Sequence, residues 1–222
     1  MLKCTKEISD SGIEILQPEI GYRFSTDSVV LGRVVNQFLL KTKRERLSVL
    51  DVGAGVGALS AYSLFNRDIQ SITAIEINKN FCDLCGVNLS KNFTAAICNV
   101  ICANIVDLVD FKQIFDLIIT NPPFYKIGEG RVSRTKDIAN HESVSLSEWI
   151  KFCIKRLKPN GVFFIIHLSE RLQDILSAFD ATVGGIEIFP IDTGSTNAIK
   201  RVVVKCQKSS RSKLILHKPI IL

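Results

Sequence analysis

Two short stretches of the chain concentrate residues whose types and spacing can do chemistry. The first is Asp51-Val52-Gly53-Ala54-Gly55-Val56-Gly57. Three glycines at alternate positions let the backbone turn tightly and approach a bound molecule closely. The G-x-G-x-G spacing fits a pyrophosphate clamp poorly, because the dinucleotide fingerprint has two residues between its second and third glycines. A tight strand-to-helix turn is the plainer use of the same residues. Glu76 follows Gly53 by 23 residues. A carboxylate there suits hydrogen bonds from ribose hydroxyls; the alternative is a surface carboxylate at the start of the next helix.

The second stretch is Asn121-Pro122-Pro123-Phe124. Its two prolines fix the backbone and remove two N–H donors. Asn121 offers a side-chain carbonyl, Pro122 a main-chain carbonyl and Phe124 a flat ring. Two acceptors beside a stacking face make a receptor for a planar exocyclic amine. Such an amine is a poor nucleophile, because its lone pair is delocalised into the ring. Hydrogen bonds from its two N–H groups to Asn121 Oδ1 and the Pro122 carbonyl favour a pyramidal nitrogen with its lone pair aimed at an electrophile. Positioning then does much of the work, and stacking on Phe124 contributes about 1–3 kcal/mol by analogy with other base–aromatic contacts. No His or Asp is assigned as general base, since the attacked nitrogen becomes acidic and can lose its proton to water. A rigid proline turn closing an α/β loop is the structural alternative.

The surrounding pattern must position these groups. Short β-branched runs alternate with amphipathic stretches, the signature of a parallel sheet flanked by helices. Strands are expected at Leu47–Asp51, Ser71–Glu76, Ala95–Cys102, Phe115–Thr120 and Gly161–Leu168. Helices are expected at Gly57–Asn66, Lys79–Leu89, Leu146–Leu157 and Arg171–Phe179, with Pro159-Asn160-Gly161 as a stop signal. Ile186–Pro190 and Ile199–Cys206 read as an antiparallel hairpin. Upstream, Asp27–Leu40 reads as a helix with Ser25 or Thr26 as its cap. The fold class is therefore α/β: a doubly wound, Rossmann-like, seven-stranded sheet with a reversed last strand. Ligands of such sheets bind outside the carboxyl ends of the strands, where both chemical stretches fall.

Composition narrows the class. With 222 residues, 46% hydrophobic and 23% charged, the chain is neither disordered, collagen-like nor fibrous. The net charge is +6, yet no acidic residue follows Asp192. Lys200, Arg201, Lys205, Lys208, Arg211, Lys213 and Lys218 all lie in that last segment. The segment reads either as a nucleic-acid or membrane-facing end or as an edge hairpin whose lysines guard against aggregation. Seven cysteines, an odd number, fit free thiols in a reducing cytoplasm. The spacing Cys82-x2-Cys85 with Cys98-x3-Cys102 admits a zinc site or plain core packing. The N-terminus lacks a signal-peptide pattern, and the longest apolar runs are too short to span a bilayer. A cytoplasmic monomer without metal is expected.

The D-x-G-x-G-x-G loop with Glu76 resembles the S-adenosylmethionine site of class I methyltransferases. The resemblance implies that Asp51 is among the cofactor-binding residues, that Gly53, Gly55 and Gly57 border the methionine portion, that Glu76 binds the ribose, and that Ile77 packs on the adenine. Asn104 stands where that family usually has Asp reading the adenine amino group, a bond its carbonyl oxygen can also accept. Asn-Pro-Pro-Phe resembles the signature of methyltransferases acting on adenine N6, guanine N2 and glutamine amide nitrogen. It implies Asn121, Pro122 and Phe124 as the catalytic residues, with Asn121 also near the cofactor.

Gly21–Leu31 is similar to the G-x-R-F-x-T-D-x-V-L-L segment of the bacterial tRNA1(Val) adenine-37 N6-methyltransferase family. The similarity continues at Arg134 and His141-Glu142, where Asn140 replaces an Arg, and covers about residues 12–207. It implies an N-terminal extension or lid over 1–45, a catalytic domain over 46–207 and a basic tail over 208–222. It further implies methyl transfer to N6 of an adenine in tRNA, position 37 of a valine tRNA. Arg23 and Thr26 would then lie near the cofactor. Phe24, Pro123, Arg131, Arg134, His141, Lys200 and Arg201 would face the RNA. The competing families are guanine-N2 rRNA methyltransferases, usually with a second domain, and glutamine methyltransferases, usually with NPPY and a longer N-terminal domain. DNA adenine methyltransferases normally add a recognition domain. A non-catalytic RNA-binding module on the same fold is the reading from a different class.

Overall fold

The chain begins, in a computed structural model that describes residues 3–9, 11–21, 23–126, 141–142, 144–194 and 198–222, with an antiparallel hairpin. Its strands are β1 (Cys4–Ile8) and β2 (Glu14–Pro18). The main body follows as α1 (Thr26–Thr42), β3 (Leu47–Val52), α2 (Ala58–Leu64), β4 (Ile69–Glu76), α3 (Lys79–Asn92), β5 (Cys98–Cys102) and β6 (Phe115–Thr120). Two short strands, β7 (Tyr125–Lys126) and β8 (His141–Glu142), pair with each other. Then come α4 (Leu146–Lys155), β9 (Leu157–Leu168), α5 (Leu172–Ala178), β10 (Val183–Asp192), β11 (Arg201–Lys208), β12 (Ile215–Leu216) and β13 (Ile220–Ile221).

The seven long strands of the main sheet run β5-β4-β3-β6-β9-β11-β10. The first five are parallel, and β11 runs antiparallel to both its neighbours. This is the expected seven-stranded sheet with its last long strand reversed. The central strands are apolar because both faces are covered. Val49, Leu117 and Phe164 pack toward α1, α2 and α3. Leu50, Ile118 and Phe163 pack toward α4 and α5.

Several boundaries differ from the sequence pattern. Ala95–Ile97 form a 3-10 turn, so the third core strand starts only at Cys98. The helix expected to reach Leu157 ends at Lys155, and β9 already begins at Leu157. Pro159-Asn160-Gly161 does not stop the chain there. Asn160 takes φ 61° and the pairing with β6 shifts register, so a bulge absorbs the turn inside the strand. Strand β11 starts at Arg201 rather than Ile199. Ser25 occupies the cap position of α1, but its side chain makes no capping bond.

The segment after β11 is sheet edge. Strands β12 and β13 add in parallel along β10 and cover its free side. His217 stacks on Phe189 with ring centroids 4.1 Å apart and reaches Glu187 at 2.7 Å. Besides Arg201, two of the seven cations work inside the fold. Lys205 is buried and pairs with Glu187 at 2.8 Å. Lys208 donates to the carbonyls of Ile154 and Leu157, both at 3.0 Å, at the carboxyl end of α4.

Candidate active site

Register places the two chemical stretches side by side. Val52 of β3 pairs with Ile75 of β4 and with Thr120 of β6. The next residues are therefore Glu76, Gly53 and Asn121, at one level on three adjacent strand ends. At about 4.8 Å between strands, Glu76 and Asn121 stand about 10 Å apart with the glycine loop between them.

The loop is held from several sides. Gly53, Gly55 and Gly57 all have positive φ, at 72°, 55° and 83°. The N–H groups of Gly53 and Ala54 donate to the Ile75 carbonyl at 2.8 and 3.0 Å. Gly53 admits no side chain: a Cβ there would meet Trp149 Cζ2 at 2.9 Å. The Trp149 indole N–H donates to Thr120 Oγ1 at 2.9 Å, and Thr120 in turn donates to the Val52 carbonyl at 2.6 Å. Asn88, buried on α3, donates to the Val56 carbonyl and exchanges two hydrogen bonds with the Leu16 backbone, all at 2.8 Å. The N-terminal hairpin is thereby tied to the glycine loop through one side chain.

Two carboxylates face this loop. Glu76 is almost fully buried, and its oxygens accept from Gly55 N–H at 2.9 Å and Asn78 N–H at 2.8 Å. Asp51 is fully buried and accepts from Ser60 Oγ at 2.7 Å, while its Oδ1 has no partner. Burial raises the Asp51 carboxyl to about 7, with the nearby Glu76 charge adding to the effect. Ile77, 59% exposed, presents an apolar side chain just past Glu76. Asn104 begins the 3-10 turn Ile105–Asp107, and its Oδ1 already accepts Val106 N–H at 3.3 Å.

At the end of β6, the amide of Asn121 is held from α1. Its Nδ2 donates to Ser28 Oγ at 3.0 Å and to Ser25 Oγ at 3.4 Å. Its Oδ1 is buried and has no partner. Pro122 is buried beside it. The ring of Phe124 meets the buried ring of His167 edge-on at 5.0 Å. Burial, with Arg171 and Arg201 nearby, pushes His167 down to about 3, so this imidazole is neutral at ordinary pH. Arg201 lies over Phe124 at 4.8 Å and bonds Asp27 of α1 at 3.2 Å.

The other expected residues are dispersed. Arg23 is exposed and pairs with Glu7 of β1. Phe24 packs with Tyr62 at 6.3 Å, in an apolar cluster that includes Val56 and Ala58. Thr26 is exposed at the start of α1, Lys200 is exposed beside Arg201, and Pro123 is half-buried. His141 lies on β8, opposite Tyr125. Arg131 and Arg134 lie outside the described residues. Cys82 and Cys85 sit on α3, Cys98 and Cys102 at the ends of β5. Among the described residues no three His, Cys, Asp or Glu side chains converge on a metal site.

The sequence pattern does not single out Ser28, Asn88, Trp149 or His167. Asn88 carried a usable signal, a polar residue one turn from Cys85 on the buried face of α3. The other three carried none.

The family described as methyltransferase small domain matches residues 24–188. Two curated relatives are named tRNA1(Val) (adenine(37)-N6)-methyltransferase. The protein from Shewanella baltica (strain OS185) is 30% identical over 145 residues, 64% of this chain and 58% of its own length. The one from Shewanella halifaxensis (strain HAW-EB4) is 30% identical over 166 residues, 72% of this chain and 65% of its own. The chain thus spans less than two thirds of these relatives. Among solved structures, the T. thermophilus 16S rRNA N2 G1207 methyltransferase, in complex with AdoMet and guanosine, superposes with a TM-score of 0.65 at 20% identity. That match covers 94% of this chain and 51% of the other.

Proposed function

The chain belongs to the methyltransferase small domain family, and on that premise we propose that it transfers a methyl group from S-adenosylmethionine to N6 of an adenine in tRNA. The observation that carries this reading is Asn121 Oδ1, a buried acceptor without a partner beside the Pro122 turn. An unmet buried acceptor costs about 1–3 kcal/mol. A substrate amine that donates to it would recover that cost.

The residues fit the cofactor. The glycine loop, Glu76 and Ile77 offer a close backbone approach, a carboxylate for the ribose hydroxyls and an apolar surface for the adenine. Glu76 uses two of its acceptor positions on backbone N–H groups, and a carboxylate has about four. The unpartnered Asp51 Oδ1 favours a cationic neighbour. When bound, the cofactor supplies an electrophilic methyl group on a sulfonium.

The chain's own part is then orientation. Asn121 and the Pro122 carbonyl hold the two amine hydrogens so that the nitrogen lone pair points at the methyl group. Phe124 supplies a stacking face. The neutral, buried His167 supports the Phe124 ring and takes no proton in this scheme. Adenine 37 of a valine tRNA is the favoured nucleotide, because the curated relatives carry that name over their matched stretches.

The test is incubation of purified protein with labelled S-adenosylmethionine and total tRNA, followed by nucleoside mass analysis. N6-methyladenosine is expected. N2-methylguanosine would transfer the reading to guanine, and absence of cofactor binding by calorimetry would leave an RNA-binding module.

A further inference from the structure

We propose that Ser28, in the first turn of α1, is a positioning residue that fixes which end of the Asn121 amide faces the substrate. The inference rests on the amine-receptor reading above. An asparagine side chain presents an oxygen at one end and an NH2 group at the other, with nearly the same shape. A receptor for a donor amine works only with the oxygen forward. Something must therefore hold the NH2 end back.

The geometry supplies two oxygens for that purpose. Ser28 Oγ accepts from Asn121 Nδ2 at 3.0 Å, and Ser25 Oγ takes a longer bond at 3.4 Å. Two acceptors match the two hydrogens of the NH2 group. In the reverse orientation the serine hydroxyls would have to donate to the amide oxygen, and both hydrogens would turn to the side where Oδ1 now has no partner. Orphaned buried N–H groups are rarer than under-satisfied oxygens, so the two serines favour one orientation. Ser28 makes the stronger bond because it is shorter and buried, away from competing water.

The position follows from helix geometry. Ser28 N–H donates to the Ser25 carbonyl at 3.1 Å, which closes the first turn of α1 and brings both hydroxyls to one side. Helix α1 itself lies close to α2: a Cβ on Gly32 would meet Tyr62 Cβ at 2.5 Å. The serines are thus carried by an element packed against α2, and Ser28 and Ser25 reach a residue 93 and 96 positions away in sequence.

Three readouts test the assignment. Ser28→Ala is expected to lower kcat for tRNA methylation about 2- to 10-fold, the loss of one hydrogen bond, with KM for tRNA and calorimetric affinity for S-adenosylmethionine unchanged. Ser28→Thr, which keeps the hydroxyl, is expected to restore kcat. In 15N-asparagine-labelled protein, the Asn121 side-chain NH2 signals, identified by their absence in Asn121→Asp, should shift and exchange faster in Ser28→Ala. Unchanged kcat together with unchanged NH2 signals would overturn the role of Ser28. A wild-type protein that modifies no tRNA while its NH2 signals still depend on Ser28 would instead overturn the functional reading and leave the anchoring intact.

Discussion

The guanidinium of Arg201 lies 4.8 Å above the ring of Phe124 while its Nε bonds Asp27 at 3.2 Å. One turn of α1 therefore reaches both halves of the proposed receptor, the Asn121 amide through Ser28 and the Phe124 ring through Asp27 and Arg201. A cation over an aromatic ring contributes about 0.5–2 kcal/mol. Arg201→Ala is accordingly expected to reduce kcat/KM for tRNA about 2- to 30-fold without altering cofactor affinity. A variant with wild-type kcat/KM would show that the ring needs no such support.

Gly53→Ala tests the glycine loop. The new methyl group would meet the Trp149 indole at 2.9 Å, in a backbone held at φ 72°. The left-handed conformation alone costs a non-glycine residue about 1–2 kcal/mol. Urea unfolding should show at least that loss. Trp149 is the sole tryptophan in the chain, so its fluorescence should report the displacement. An unchanged spectrum and midpoint would refute the contact.

Asp51 gives a pH dependence. Burial raises its carboxyl to about 7, whereas an unfolded aspartate titrates near 4. The folded state thus keeps a proton that the unfolded chain releases. Stability from this group falls as pH rises from about 4 to about 7 and levels off above. Asp51→Asn should remove that slope, so the difference in Tm between the two proteins should change across this window and be constant at pH 8–9. A constant difference from pH 5 to 8 would place the Asp51 titration elsewhere.

The basic segment divides by position. Ile191 of β10 pairs with Arg201, whereas Gly184 pairs with Gln207 at the opposite end. Ser212 bonds Gly185 at that opposite end, so Arg211 and Lys213 lie about 20 Å of strand away from Arg201. Lys200→Gln is therefore expected to raise KM for tRNA and reduce the salt slope by about one. Arg211→Gln with Lys213→Gln should leave both unchanged. Equal effects from the two sets would mean that the whole edge contacts RNA.

Much was legible in the sequence because the signals are local. The apolar run of β6 matches residue for residue, and the glycines at 53, 55 and 57 adopt the positive φ that only their lack of a Cβ makes easy. The N-terminal hairpin leaves little signal in the sequence, because both strands are only five residues long and β1 is largely exposed. Pro159-Asn160-Gly161 misled for a related reason: turn residues specify a local bend, and only pairing with β6 decides that the bend becomes a bulge.

By itself, the sequence determined the order of the seven long strands and of the helices between them, and the strand ends on which Gly53, Glu76 and Asn121 would stand. Alternation, apolar runs and glycine spacing act over a few residues. Only the tertiary structure decided how those groups are held. It set Asn88 between Leu16 and Val56, Trp149 against Gly53, and Ser28 behind Asn121. Each of these contacts joins residues 32 or more positions apart. No local pattern encodes such a pairing. It arises when helices on both faces of the sheet pack their apolar sides down and bring distant polar groups to the same strand ends.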